Sequence, residues 1–255
     1  MGNKKILLLL NGGMSSNVIF NVLNEKFNIS KVIIETKESK LAYIKRRMKK
    51  LGVTIVLGQL LFKIMIVPAL KYFSKKRINE YLKLHKIDSS DISVETVKVA
   101  SVNSDEVIEI INQESPDAIV INGTSIISKK VLSTISCPVI NMHAGLTPMY
   151  RGVYGGYWSL ANKDEKNCGV TVHLVDAGID TGSILYQTRI EVIAKDNFVV
   201  YPVKQLITGL PFLIKAVEDA LSNELKPHKA EGKSMIWTHP TMTEYLYNRI
   251  VKGVK

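Results

Sequence analysis

Four short apolar runs, each closed by a polar or turn-forming residue, constrain this chain more than any other feature. They are Ile6-Leu7-Leu8-Leu9-Leu10 before Asn11-Gly12-Gly13, Val32-Ile33-Ile34 before Glu35, Ala118-Ile119-Val120-Ile121 before Asn122, and Pro138-Val139-Ile140 before Asn141. Runs this short and uniformly apolar read as strands buried on both faces, the pattern of a parallel sheet. Between them lie segments of helical periodicity, near 17–25, 38–51 (rich in Lys and Arg) and 105–113. This alternation predicts an α/β fold, a mostly parallel twisted sheet with helices on both faces. Ligands of such sheets gather beyond the carboxyl ends of the strands, where Asn122 and Asn141 fall.

The rhythm breaks twice. After residue 169, Gly169 to Val175 and Ser183 to Val192 read as a hairpin around an Asp-Gly-rich turn. A helix from Val203 to Ser222, bent at Pro211, then covers the sheet, and a short helix near Thr243 to Val251 ends the chain. Earlier, Leu60 to Phe73 is strongly apolar and Ser74-Lys75-Lys76-Arg77 follows it. Lys63 and Pro68 interrupt that run, leaving far fewer uncharged residues than the roughly 20 a spanning helix needs. Two readings stay open for this insert, about 58–90. One is a helical hairpin packed on the core. The other is an interfacial helix whose basic flank makes weak peripheral contact with anionic lipid over 58–77. Residues 1–195 are thus expected to form a catalytic domain carrying the insert, and 196–255 a helical extension packed on it.

Composition sets limits. With 255 residues, 46% hydrophobic and 22% charged, the chain suits a globular fold rather than a disordered one. The formal net charge of +11 favours acidic partners: phosphorylated substrates, nucleic acid or an anionic membrane surface. A Lys-rich solvated surface accounts for it equally well. Cys137 and Cys168 are far apart and match no metal or redox spacing, which reads as a reducing compartment. Met1-Gly2-Asn3-Lys4-Lys5 leads straight into the first strand without a secretory signal, so a cytoplasmic location is expected.

The chemistry-bearing residues lie at the strand ends. Asn141 and His143 are followed by Leu146 to Gly152 and then by Asp180, within His173-Leu174-Val175-Asp176-Ala177-Gly178-Ile179-Asp180. An amide, an imidazole and a carboxylate suit acyl transfer to an amine. The first two polarise a carbonyl and hold the developing oxyanion. The carboxylate orients the imidazole and takes up the proton the amine loses. Each also has an ordinary reading: a strand-end turn former, a satisfied structural histidine, a turn cap. Gly12, Gly13, Ser15, Ser16 and Asn17 lie where a strand runs into a helix N-terminus, which suits an anion or a plain turn capped by Ser15 or Ser16. Tyr154, Tyr157 and Trp158 suit stacking on a sugar or base, or simply a core. No metal-ligand spacing occurs among the five histidines, so no metal is expected.

Asn-x-His, Pro-x-x-Arg-Gly, Gly-Val-Thr-x-His and Asp-x-Gly-x-Asp-Thr-Gly, in this order, resemble the folate-dependent formyltransferase family, which includes glycinamide ribonucleotide, methionyl-tRNA and sugar-nucleotide N-formyltransferases. The resemblance covers roughly 5–35 and 100–192. It implies a Rossmann-like sheet and transfer of a formyl group from N10-formyltetrahydrofolate to a primary amine. It also implies Asn141, His143 and Asp180 as the catalytic trio. The folate then lies against Asn122, Gly123, Thr124, Ser125, Ile126 and Ile127, with the Asp176 turn closing the pocket. The same likeness assigns the amine side to Gly12, Gly13, Ser15, Ser16, Asn17 and Arg151, with Tyr154 and Trp158 as stacking candidates. Without the β-barrel of the tRNA branch, and with an Arg-Gly element unlike the purine branch, the expected acceptor is an amino sugar on a nucleotide or a similar phosphorylated small molecule, not nucleic acid. Glycinamide ribonucleotide, methionyl-tRNA and a non-catalytic folate-binding module stay as alternatives, and a homodimer stays open.

Overall fold

A computed structural model describes residues 4–36 and 39–255. Met1 to Asn3, invoked for the missing leader, and Glu38, within the expected basic helix, lie outside the described residues. Strand β1 (Lys5–Leu10) is followed by α1 (Met14–Asn24), β2 (Asn28–Glu35), α2 (Lys40–Leu51), α3 (Val53–Leu61), α4 (Val67–Leu84), β3 (Thr96–Val99), α5 (Asp105–Glu114) and β4 (Ala118–Asn122). Then come the short α6 (Lys129–Leu132), β5 (Val139–His143), β6 (Arg151–Gly152), α7 (Gly155–Ala161), β7 (Gly169–Leu174), β8 (Ile184–Arg189), α8 (Tyr201–Ser222), β9 (Ile236–Trp237) and α9 (Met242–Val251).

Seven strands form one sheet in the order β3-β2-β1-β4-β5-β7-β8. Those from β3 to β5 run parallel, and β7 and β8 continue as the antiparallel hairpin read from the sequence. The α/β, Rossmann-like expectation holds. The run of leucines in β1 shows why. Ile6, Leu8 and Leu10 pack under α1 and α8 on one face, and Leu7 and Leu9 under α5 on the other. With period-2 geometry and helices on both faces, neither side of the strand tolerates a polar residue.

Several local expectations are corrected. Gly13 (φ 83°, ψ −179°), not Ser15 or Ser16, is the N-cap of α1, because only glycine takes that backbone freely. The short edge strand β3 carried too weak a pattern to be read. The insert is no hairpin within 58–87. After α2, a single helical path runs from Val53 to Leu84, long and apolar enough by length and composition to cross a membrane. Pro68 does not break it, since the residues before it, Phe62–Ile66, widen into a π turn in which the Val67 N–H bonds to the Phe62 carbonyl. The wider turn relieves the clash that proline makes with the preceding turn. Its buried residues, Val56, Gln59, Phe62, Ser74 and Leu82, face the domain. Phe62 sits in an aromatic cluster with Tyr157, Phe198 and Tyr245.

Candidate active site

The carboxyl end of β5 delivers Asn141 and His143, and the neighbouring β7 pairs against it so that Asn141 lies opposite His173. The turn after β7 brings Asp180 back over them. Asp176 builds that turn as expected, accepting hydrogen bonds from the Gly178 N–H (2.9 Å) and the Thr181 hydroxyl (2.6 Å). Asp180 Oδ2 lies 3.4 Å from His143 Nδ1, and its Oδ1 lies 3.6 Å from His173 Nε2. The Gly152 N–H donates to the same carboxylate at 2.9 Å. Three segments distant in sequence thus meet at one point.

Hydrogen bonding dictates the proton positions. His143 Nε2 lies 2.7 Å from the Tyr150 carbonyl oxygen, which only accepts, so Nε2 carries the hydrogen and Nδ1 turns its lone pair toward Asp180. His173 Nδ1 lies 2.7 Å from the Leu174 carbonyl oxygen, and its Nε2 lies 3.1 Å from the Asn141 amide nitrogen and 3.6 Å from Asp180 Oδ1. The Asn141 amide nitrogen has a second N–H to offer. Burial pushes the His143 pKa below its ordinary value, outweighing the attraction of Asp180. Burial also raises the Asp180 carboxyl. The charge that His143 carries in acid, with His173 and the Gly152 N–H, outweighs that and brings it down to about 2. At neutral pH the pair is therefore a neutral imidazole beside an ionised carboxylate.

These groups line a cavity of ≈ 470 Å³, within the range of small-molecule sites. Its far wall is the segment Asn122–Ile127 after β4, and Asp176 also borders it. Glu35 at the end of β2 fixes that wall. One carboxylate oxygen accepts the Ser125 N–H (2.6 Å) and the other the Val102 N–H (3.0 Å). Ser128 caps α6 behind it. The Thr124 hydroxyl is buried there and has no hydrogen-bond partner among the described residues. Ile126 and Ile127 give this wall an apolar surface, and the Ile126 carbonyl accepts from the Asn103 amide (2.9 Å).

The other predicted positions divide. Tyr154 borders the cavity, its ring 5.2 Å from that of His239. Trp158 does not border it: the indole is buried against Trp237 (4.9 Å) and donates to the Thr238 carbonyl (2.8 Å). Helical spacing turns it into the aromatic cluster with Tyr157 and Trp237. Arg151 bonds to the Ile179 carbonyl (3.1 Å) and steadies the Asp180 turn, while its Nε is buried with no partner among the described residues. Gly12, Gly13, Ser15, Ser16 and Asn17 lie off the cavity wall; Ser15 donates to Asn122 (3.0 Å) and Asn17 to Asp91 (2.9 Å).

Two contributors escaped the sequence. Glu35 reads as the polar end of a strand, and His239 lies in a tail with no motif. The tail reaches the cavity because β9 pairs with β6 and because Gln59 of α3 donates to the His239 carbonyl (2.7 Å). Burial, with Arg47 and Lys63 nearby, brings the His239 pKa down to about 4, making it a neutral wall.

The chain belongs to the formyl transferase family, whose pattern matches residues 23–204. A methionyl-tRNA formyltransferase of Clostridium botulinum is 35% identical over 130 residues, 51% of this chain and 42% of that protein. One from Thermodesulfovibrio yellowstonii is 32% identical over 133 residues, 52% of this chain and 43% of that protein. The match thus spans under half the length of these relatives. The fold resembles a sugar N-formyltransferase from a Shewanella species (16% identity, TM-score 0.58, 92% of this chain and 76% of that one). It also resembles a phosphoribosylglycinamide formyltransferase from Anaplasma phagocytophilum (15%, 0.58, 91% and 97%). A third is an N-formyltransferase from Helicobacter canadensis, solved with folinic acid and dTDP-3-aminofucose (16%, 0.55, 92% and 70%).

Proposed function

We propose that this chain transfers a formyl group from N10-formyltetrahydrofolate to the primary amine of a small phosphorylated acceptor, an amino sugar carried on a nucleotide. The observation that carries the reading is the meeting of Asn141, His143 and Asp180 at the edge of a cavity whose opposite wall suits a folate. Bound against Asn122–Ile127, the folate supplies the formyl carbon. The second N–H of Asn141 holds the oxygen on which negative charge develops as the amine attacks. The amine must then lose a proton. His143 Nδ1 takes it, and the adjacent Asp180 stabilises the imidazolium. The same proton is then available to the departing folate nitrogen, so proton and charge balance over the turnover. The acceptor's phosphate is assigned to the N-terminus of α1 behind Gly12-Gly13, whose first N–H groups have no partners within the helix.

The amino-sugar reading draws on a fold shared with a sugar N-formyltransferase. A second reading, methionyl-tRNA as acceptor, is favoured by the 35% identity to an enzyme of that name. Tetrahydrofolate release, followed with an amino-sugar nucleotide, glycinamide ribonucleotide and methionyl-tRNA in parallel, separates them. Turnover with the sugar alone is expected. Turnover only with methionyl-tRNA removes the sugar, and folate binding without turnover on any amine reduces the chain to a binding module.

A further inference from the structure

The single helical path of α3 and α4 shows two faces. Val53, Leu57, Leu61, Ile64, Met65 and Tyr72 recur at helical spacing on the face turned away from the domain, and Ile64 and Tyr72 are 69% and 77% exposed. Contiguous apolar exposure of this kind marks a surface that something covers. Helix α9, packed beside α3, adds exposed Tyr247, Ile250 and Val251.

The charge around the stripe names the partner. Residues 40–84 hold twelve lysines and arginines and one carboxylate, Glu80. The other 22 basic and 22 acidic residues cancel, so this one segment carries the whole net charge of +11. Lys63, Lys71, Lys75 and Lys76 are exposed along the same helix. A second copy of the chain meeting this face would set two such segments against each other. A surface both apolar at depth and negative at its rim satisfies the stripe and the lysines together.

We propose that α3 and α4 lie in the plane of an anionic membrane surface, with the apolar stripe among the acyl chains and the lysines at the phosphates. The helix does not cross the bilayer. Its opposite side is held to the domain by Phe62 in the aromatic cluster, by Gln59 on the His239 carbonyl and by the Arg77–Asp196 ion pair (2.6 Å), all of which a crossing would strip away.

Flotation of the full chain with phosphatidylcholine vesicles, with and without about 30% phosphatidylglycerol, tests this. Recovery is expected to be about tenfold higher on the anionic vesicles at about 0.1 M salt and to collapse at about 0.5 M, as the Debye length shrinks. Ile64→Gln with Met65→Gln and Tyr72→Gln should abolish binding, as should Lys71→Gln with Lys75→Gln and Lys76→Gln. The lysine variant and the salt series stand if the apolar variant fails to fold, which circular dichroism reports. Recovery in the soluble fraction on both vesicle types overturns the proposal, and so does equal recovery on neutral vesicles. A concentration-dependent dimer in ultracentrifugation, removed by the apolar substitutions and unaccompanied by lipid binding, assigns the face to a second copy and overturns it too.

Discussion

Asp180 adopts a left-handed backbone (φ 49°), a conformation that asparagine and aspartate tolerate better than other side chains. Asp180→Asn therefore keeps the turn while removing the charge that supports His143. The expected loss in kcat is about 100-fold or more, with KM little changed, read by tetrahydrofolate release under saturating amine. A drop confined to KM would assign Asp180 to binding instead. The same carboxylate has a signature in acid. Its folded pKa, about 2, lies below the unfolded value near 4, so between them the unfolded chain binds more protons. Its contribution, on the order of 2 kcal/mol, is complete above about pH 4 and is lost as pH falls toward 2. Asp180→Asn should flatten that part of the acid unfolding curve, and an unchanged curve would show the carboxylate to be unperturbed.

The loop after β4 has its shape because β2 ends in Glu35, whose two carboxylate oxygens receive N–H groups from Val102 and Ser125. Glu35→Gln turns one acceptor into a donor facing an N–H. The expected cost is about 1–3 kcal/mol in urea unfolding, with a raised KM for the formyl donor and a nearly unchanged kcat. A fall in kcat at unchanged KM would place Glu35 in the chemistry rather than in the wall. Beside His143 the requirement is steric. A Cβ on Gly145 would overlap the Tyr150 carbonyl oxygen that His143 bonds, and would stand 2.7 Å from Nε2. Gly145→Ala should displace the imidazole and lower activity by more than it lowers stability. Equal losses in the two would mean only a poorer fold.

Asp196 joins the long helix to the sheet domain. It is buried, accepts from Arg77 of α4 at 2.6 Å and from Lys204 of α8 at 2.9 Å, and receives the Ile193 N–H at 2.8 Å. Asp196→Ala leaves Lys204, itself 9% exposed at the side chain, as a buried charge without its counter-ion. Removing one partner of a buried pair costs about 3–5 kcal/mol. A urea midpoint within error of the parent would mean that Lys204 finds water instead. Because the helix is anchored this way, that substitution should also weaken the lipid contact without touching a residue on the apolar face.

The sheet and the candidate trio were legible because both write themselves locally. A strand buried on both faces admits only apolar residues, and the polar residue that ends it stands out; Leu10 before Asn11, Ile121 before Asn122 and Ile140 before Asn141 are each visible within a few positions. The Asp176 turn was readable for the same reason, since its bonds close within five residues. Contacts between distant segments leave no such mark. The parallel pairing of β6 with β9 brings His239 to the cavity, and nothing near His239 announces it. Trp158 and Tyr154 share a helical turn region, yet one is core and the other wall, because Trp237 and Thr238 cover the Trp158 indole while Tyr154 meets His239 at the cavity edge. The path through Pro68 depended on a π turn whose widening is a backbone response, invisible in side-chain periodicity. Residue order thus set which strands are buried and which polar groups end them, because those choices rest on neighbours in the chain; packing across the chain chose which of those groups meet.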